Sequence, residues 1–147
     1  MTVDDATKPR EKTEEMISKL LAERQDMLVR FCHVAGLNPF HNDQPSREML
    51  EEFCQVLVDY SAFGHFEIYS RILSGEERRK QVLDVANRIY PRIAEATEFA
   101  VAFNDKYDAL THTEPLDHLN DDLCKLGEEI AMRIEVEDQL LKAMRAA

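Results

Sequence analysis

The stretch Phe53 to Leu73, FCQVLVDYSAFGHFEIYSRIL, constrains this chain more than any other. It has no proline and one glycine, and its apolar positions step by three and four, so it predicts a long helix. On a wheel of 100° per residue, Leu50, Cys54, Leu57, Ser61, Gly64, Ile68 and Ile72 fall along one line, the stripe by which such a helix enters a core. The opposite side carries Asp59 beside Phe66, with Phe63 nearby. An ionisable group next to two phenyl rings, on the face a simple bundle leaves wet, predicts either packing on another part of the chain or a partner.

The rest of the chain repeats the helical pattern. From about Lys12 to Gly36 the positions Ile17, Leu21, Leu28, Phe31 and Ala35 keep helical spacing, and Gly36, with Asn38 and Pro39 after it, supplies a stop. Residues 37 to 45 predict a loop, and Ser46 is a plausible N-cap for the second helix. That helix runs to Leu73 and is broken by Ser74 and Gly75. A third helix starts near Glu76, with a seam through Val82, Ala86, Ile89, Ile93, Ala96, Ala100, Phe103 and Tyr107. Pro91 removes a backbone donor inside it and predicts a kink or a local break. Thr111 to Glu114 forms a polar connection, and Pro115 suits the first position of a fourth helix. That helix continues through Leu116, Leu119, Leu123, Leu126, Ile130, Leu140 and Met144.

The expected architecture is therefore all-α: an antiparallel up-down-up-down four-helix bundle with long helices, about 40 Å in length. Residues 1–10 read as a disordered polar tail and residues 11–147 as a single domain, large enough to bury about 70% of its unfolded surface. Three charged residues interrupt the apolar seams. Arg24 is either a stem lying on the core with its head in water or a buried charge holding a carboxylate. Arg133 and Glu137, one helical turn apart, can satisfy each other; if buried, such a pair sets register more than it adds stability.

Charge and composition limit the chemistry. With 18 basic against 29 acidic residues, the net charge of −11 disfavours direct binding to nucleic acid or to an anionic membrane and suits a basic partner. The polar first fifteen residues exclude a secretory signal, and no apolar run approaches the roughly 20 residues of a membrane span. Cys32, Cys54 and Cys124 lie in separate helical patterns and read as small buried apolar residues in a reducing compartment, placing the chain in the cytoplasm. A di-iron bundle needs Glu-x-x-His motifs, and none is present. His33, His65 and His118 fall on three helices, His41 and His112 in predicted loops, and His118 with Asp122 gives at most two ligands. Phosphate-binding glycine loops, a GxSxG elbow and CxxC pairs are missing, so no catalytic residue, metal or cofactor is expected.

The central stretch closely resembles the second-helix signature of the Rsd/AlgQ family of bacterial anti-sigma regulators, FCQxLVDYxxxGHFxIYxRIL. The similarity extends to ISKLLAERQDML with the following VAGLNP, to Tyr90-Pro91, and to RIEVEDQLL near the end. It implies a helical bundle that binds region 4 of the housekeeping sigma factor, a basic DNA-reading domain, and keeps that factor from RNA polymerase. Contacts of relatives with the phosphocarrier HPr or with enzymes of alarmone metabolism give an alternative adaptor role. A small-ligand or metal-binding bundle using Arg24, Arg133 and Glu137 is a third reading. On the sigma reading, Asp59 accepts charge-assisted hydrogen bonds from a partner's Arg or Lys, while Phe63 and Phe66 bury apolar surface around it. Tyr60, Leu20 and Arg24 are placed on the same partner-binding side. Gly64, His65, Tyr69, Arg133, Glu137 and Asp138 are assigned to positioning and to a polar network. In the first helix, Ser18-Lys19-Leu20-Leu21 stands where family members commonly carry Asp-Arg-Trp-Leu, a change of surface bearing on affinity and on the choice of sigma factor.

Overall fold

A computed structural model of the chain describes residues 3–36, 47–72, 75, 77–107 and 118–146. Helix α1 spans Val3–Ala35, α2 Arg47–Phe63, α3 Lys80–Tyr107 and α4 Leu119–Ala146. A π-helical segment, Gly64–Tyr69, continues α2, and among the described residues there is no strand. Gly36 stops α1 as its position predicts. Its φ of 67° is left-handed, and its N–H returns to the carbonyl of His33 at 3.2 Å, capping an orphan acceptor of the last turn. The expected loop 37–45, the Ser46 cap, the break at Ser74, the start near Glu76, the Thr111–Glu114 connection and the Pro115–Leu116 entry to the fourth helix lie outside the described residues.

Each helix buries the face that its spacing marks, with one correction. On α2 and the π segment the whole predicted line from Leu50 to Ile72 is buried, joined by Phe53, Tyr60 and Tyr69. All eight seam positions of α3 are buried, as are Leu119, Leu123, Leu126, Ile130, Leu140 and Met144 of α4. On α1 the inward line is Ile17, Leu20, Met27 and Val34, with Arg24 in the same series, while Leu21, Leu28, Phe31 and Ala35 are only half-buried. The expected stripe was thus turned on the helix, because α1 packs against both α2 and α4 and its apolar face is wider than a single line.

The helices pack as a bundle, joined by specific pairs of side chains. Arg30 reaches Glu52 at 2.7 Å, Phe31 lies 5.8 Å from Phe53, and Lys19 sits over Phe63. On α3 and α4, Arg88 pairs with Gln139, Thr97 with Arg133 and Lys106 with Asp122. Glu14 of α1 meets Arg145, and Arg24 meets Asp138. Helix α3 runs unbroken from Lys80 to Tyr107 with Pro91 inside it, so of the kink or local break expected there the break does not occur. Pro91 lies on the outer face, where the carbonyl it leaves unpaired can turn to water. Of the cysteines, Cys54 is buried, Cys32 half-buried and Cys124 exposed. The expectation that all three are buried fails at Cys124 because Leu123 and Leu126 take the inward line of α4. Among the described residues no helix is long and apolar enough to cross a membrane.

Candidate functional site

The π segment is where the inside and the outside of the molecule are tied together. The N–H of Ser70 bonds to the carbonyl of His65, five residues back, so one turn carries an extra residue relative to an α-helix. Its inward side chains meet a buried ionic cluster. Glu137, with no exposed surface, accepts hydrogen bonds from Arg24 Nη2 at 2.8 Å, from the Tyr60 hydroxyl and from the Tyr69 hydroxyl at 3.1 Å. The second arm of the Arg24 fork donates to Asp138 at 2.8 Å. Arg24 is therefore the buried charge of the two alternatives open to it, and α1, α2, the π segment and α4 converge on one carboxylate.

Arg133 completes the cluster at lower quality. Its Nε lies 3.5 Å from Glu137 Oε2, its Nη1 donates to Thr97 Oγ1 at 2.9 Å, and its guanidinium stands 5.0 Å from the centre of the Tyr60 ring. Nε and Nη2 have no hydrogen-bond partner although the residue is only 3% exposed. Nη2 lies 2.8 Å from where a Cβ on residue 64 would be, so Gly64 is the residue that leaves room for the guanidinium. The pKa directions follow from this packing. Burial alone would lower Arg24, but the hydrogen bond and charge of Glu137 overcome it and hold the guanidinium above its ordinary value. Burial, then the charge of Glu137, pushes the Tyr60 and Tyr69 hydroxyls well above the usual phenol range.

The outward side is a different surface. Asp59 is exposed and accepts a local bond from Gln55 Nε2 at 3.1 Å, and Phe66 is 65% exposed. Phe63 is half-buried, with the Lys19 ammonium 4.9 Å from its ring centre, and His65 stands edge-on to Phe66 at 4.9 Å. Three residues placed on the partner side by sequence do not lie there. Leu20 and Tyr60 are 0% and 1% exposed, and Arg24 turns inward. Tyr60 follows Asp59 by one residue, and the 100° step swings it from the outer face to the carboxylate of Glu137. Leu20 lies on the inward line of α1, with Arg24 one turn further along it. Tyr69, Arg133, Glu137 and Asp138 meet in the cluster, Gly64 lies against it, and His65 lies on the surface side. Thr97, which bonds Arg133, carries no sequence signal: a threonine beside a helical seam is unremarkable until its neighbour across the bundle is known. No three His, Cys, Asp or Glu side chains come together as a metal site among the described residues.

The second helix thus turns an acid-and-aromatic surface outward and a buried ionic core inward, in an all-helical protein. The sequence profile described as "Regulator of RNA polymerase sigma(70) subunit, Rsd/AlgQ" matches residues 1–145, and the chain belongs to this family. It is similar to the protein named "Regulator of sigma D" of Yersinia enterocolitica serotype O:8 / biotype 1B, with 32% identity over 139 residues, covering 87% of this chain and 79% of that one. The protein of the same name from Yersinia pseudotuberculosis serotype O:1b is 33% identical over 141 residues, covering 87% and 78%. That from Salmonella arizonae is 32% identical over 134 residues, covering 86% and 80%.

Proposed function

We propose that this chain is an anti-sigma factor that binds region 4 of the housekeeping sigma factor in the cytoplasm and holds it away from RNA polymerase. In this reading the single domain of residues 11–147 is an antiparallel up-down-up-down bundle, and its second helix presents Asp59 with Phe66 and Phe63 to the partner. Membership of a family of sigma(70) regulators supports the partner. The observation that carries the site is that Asp59 and Phe66, seven residues apart along the second helix and its π segment, are both open to solvent. An exposed phenyl ring and an exposed carboxylate on the same helix suit a basic domain: the ring supplies apolar area and the carboxylate supplies charge-assisted hydrogen bonds. The net charge of −11 favours encounter with the same partner.

The test is a titration of the purified chain against isolated sigma region 4 at low and high salt. A one-to-one complex weakened by salt is expected, because the screening length falls from about 10 Å at 0.1 M to about 3 Å at 1 M. Asp59→Asn removes a charged acceptor worth about 1.5 to 3 kcal/mol, so affinity should fall by about tenfold or more with the helical circular dichroism unchanged. Unaltered affinity would remove Asp59 from the site. If HPr or an enzyme of alarmone metabolism is captured from lysate while region 4 does not bind, the adaptor reading replaces this one.

A further inference from the structure

A groove of about 240 Å³ lies between α2 with its π segment and α3, lined by Val58, Ala62, Phe66, Thr97, Ala100 and Val101 among others. Of the four large apolar side chains exposed among the described residues, Phe66 at 65% and Val101 at 48% both border it. Ser61 and His65 complete the lining, but the surface presented to the groove is carbon. The hydroxyl of Thr97 is already committed, donating to the Ile93 carbonyl at 2.9 Å and accepting from Arg133 Nη1. A polar group entering there would lose its water and find no partner at Thr97, so the groove favours an apolar occupant.

The rim sets the sign of what surrounds that occupant. Between Arg47 and Arg71 the sequence has no Lys or Arg, and it has none from Ile93 to Asp105. Asp59, the residue after Val58, and Glu98 and Asp105, the residue after Thr97 and the one a turn beyond Val101, are exposed. Lys106, the next cation along α3, is paired with Asp122 at 2.7 Å. We infer that this groove seats one aliphatic or aromatic side chain carried on a basic amphipathic helix, whose Lys and Arg residues face the acidic rim. The inference rests on the sigma-binding reading only for the identity of the partner. It adds α3 to the surface, which that reading leaves on α2 alone, and makes Val101 a residue that determines affinity.

The experiment titrates the full chain, with its valine methyls isotopically labelled, against a synthetic amphipathic helix of leucine and lysine, its leucine and glutamate counterpart, and sigma region 4. The Val58 and Val101 methyl resonances should move with the basic peptide and stay in place with the acidic one. Affinity should fall about tenfold between about 0.05 M and about 0.5 M salt. Val101→Gln, an exposed substitution that leaves the melting curve in place, should weaken the basic peptide about fivefold. Equal response to both peptides, movement confined to other valines, or an unaffected Val101→Gln overturns the groove. So does movement that appears on concentrating the chain alone, which would make a second copy the occupant. If region 4 binds while both valines stay still in every titration, the groove falls and the sigma reading stands. If region 4 fails to bind and the basic peptide behaves as described, the groove stands and the sigma reading falls.

Discussion

Glu137 and Arg133 are one turn apart on the same helix, yet the structure gives them unequal weight. Glu137 receives three strong donors, and its removal strands guanidiniums in a space that excludes water. Glu137→Gln should therefore cost about 3 to 5 kcal/mol, the scale of breaking a buried pair by deleting one member. That corresponds to a drop in melting temperature on the order of 10 °C. Arg133→Met should cost about 1 kcal/mol or less, since two of its donors are already unpaired and Glu137 keeps Arg24 and both tyrosines. Thermal unfolding of the two variants side by side tests the ranking, and equal losses would refute it. The sequence placed both residues on the seam but could not name Arg24 as the third partner. That pairing depends on how α1 and α4 slide past each other, and no local pattern encodes the offset.

At the level of the element, α3 was the most legible part of the chain and α1 the least. The α3 seam from Val82 to Tyr107 faces the core as its spacing requires, whereas α1 divides its apolar residues between two neighbours and so hides which line is central. The π turn could not be read, because a run of six residues has nearly the same polar and apolar order at either helical pitch. The outward placement of Asp59 and Phe66 was readable from the wheel. The inward placement of Leu20 and Tyr60 was not, since a single-residue step decides the face. Pro91 yields a prediction at this scale. It sits on the solvent side of an unbroken helix, so Pro91→Ala should restore a backbone hydrogen bond without disturbing the core. The melting temperature should rise, by an amount equivalent to about 1 to 3 kcal/mol. A fall would mean that the ring itself supports the path of α3.

For the molecule as a whole, the buried hydroxyls make stability depend on alkaline pH. Burial, with Glu137 for Tyr60 and Tyr69 and with Asp122 for Tyr107, raises all three phenols in the folded state above the value of about 10 they have when unfolded. Their contribution is then complete below pH of about 10 and is lost as pH rises toward the folded values, because only the unfolded chain releases those protons readily. Phenolate absorbance followed with circular dichroism should show these tyrosines ionising together with loss of helix. Ionisation of all the tyrosines near pH 10 in a chain that stays helical would contradict the cluster.

The same carboxylate also sets an order of events during synthesis. Arg24, Tyr60 and Tyr69 leave the ribosome before Glu137, which lies 113 residues beyond Arg24 in the chain. Until α4 emerges and docks, the early helices hold an arginine and two phenols with nothing to receive them, so a half-made molecule is poorly placed to settle into the native arrangement. Completion is tied to a late arrival, and a ribosome that stalls before that point should release a chain open to proteolysis.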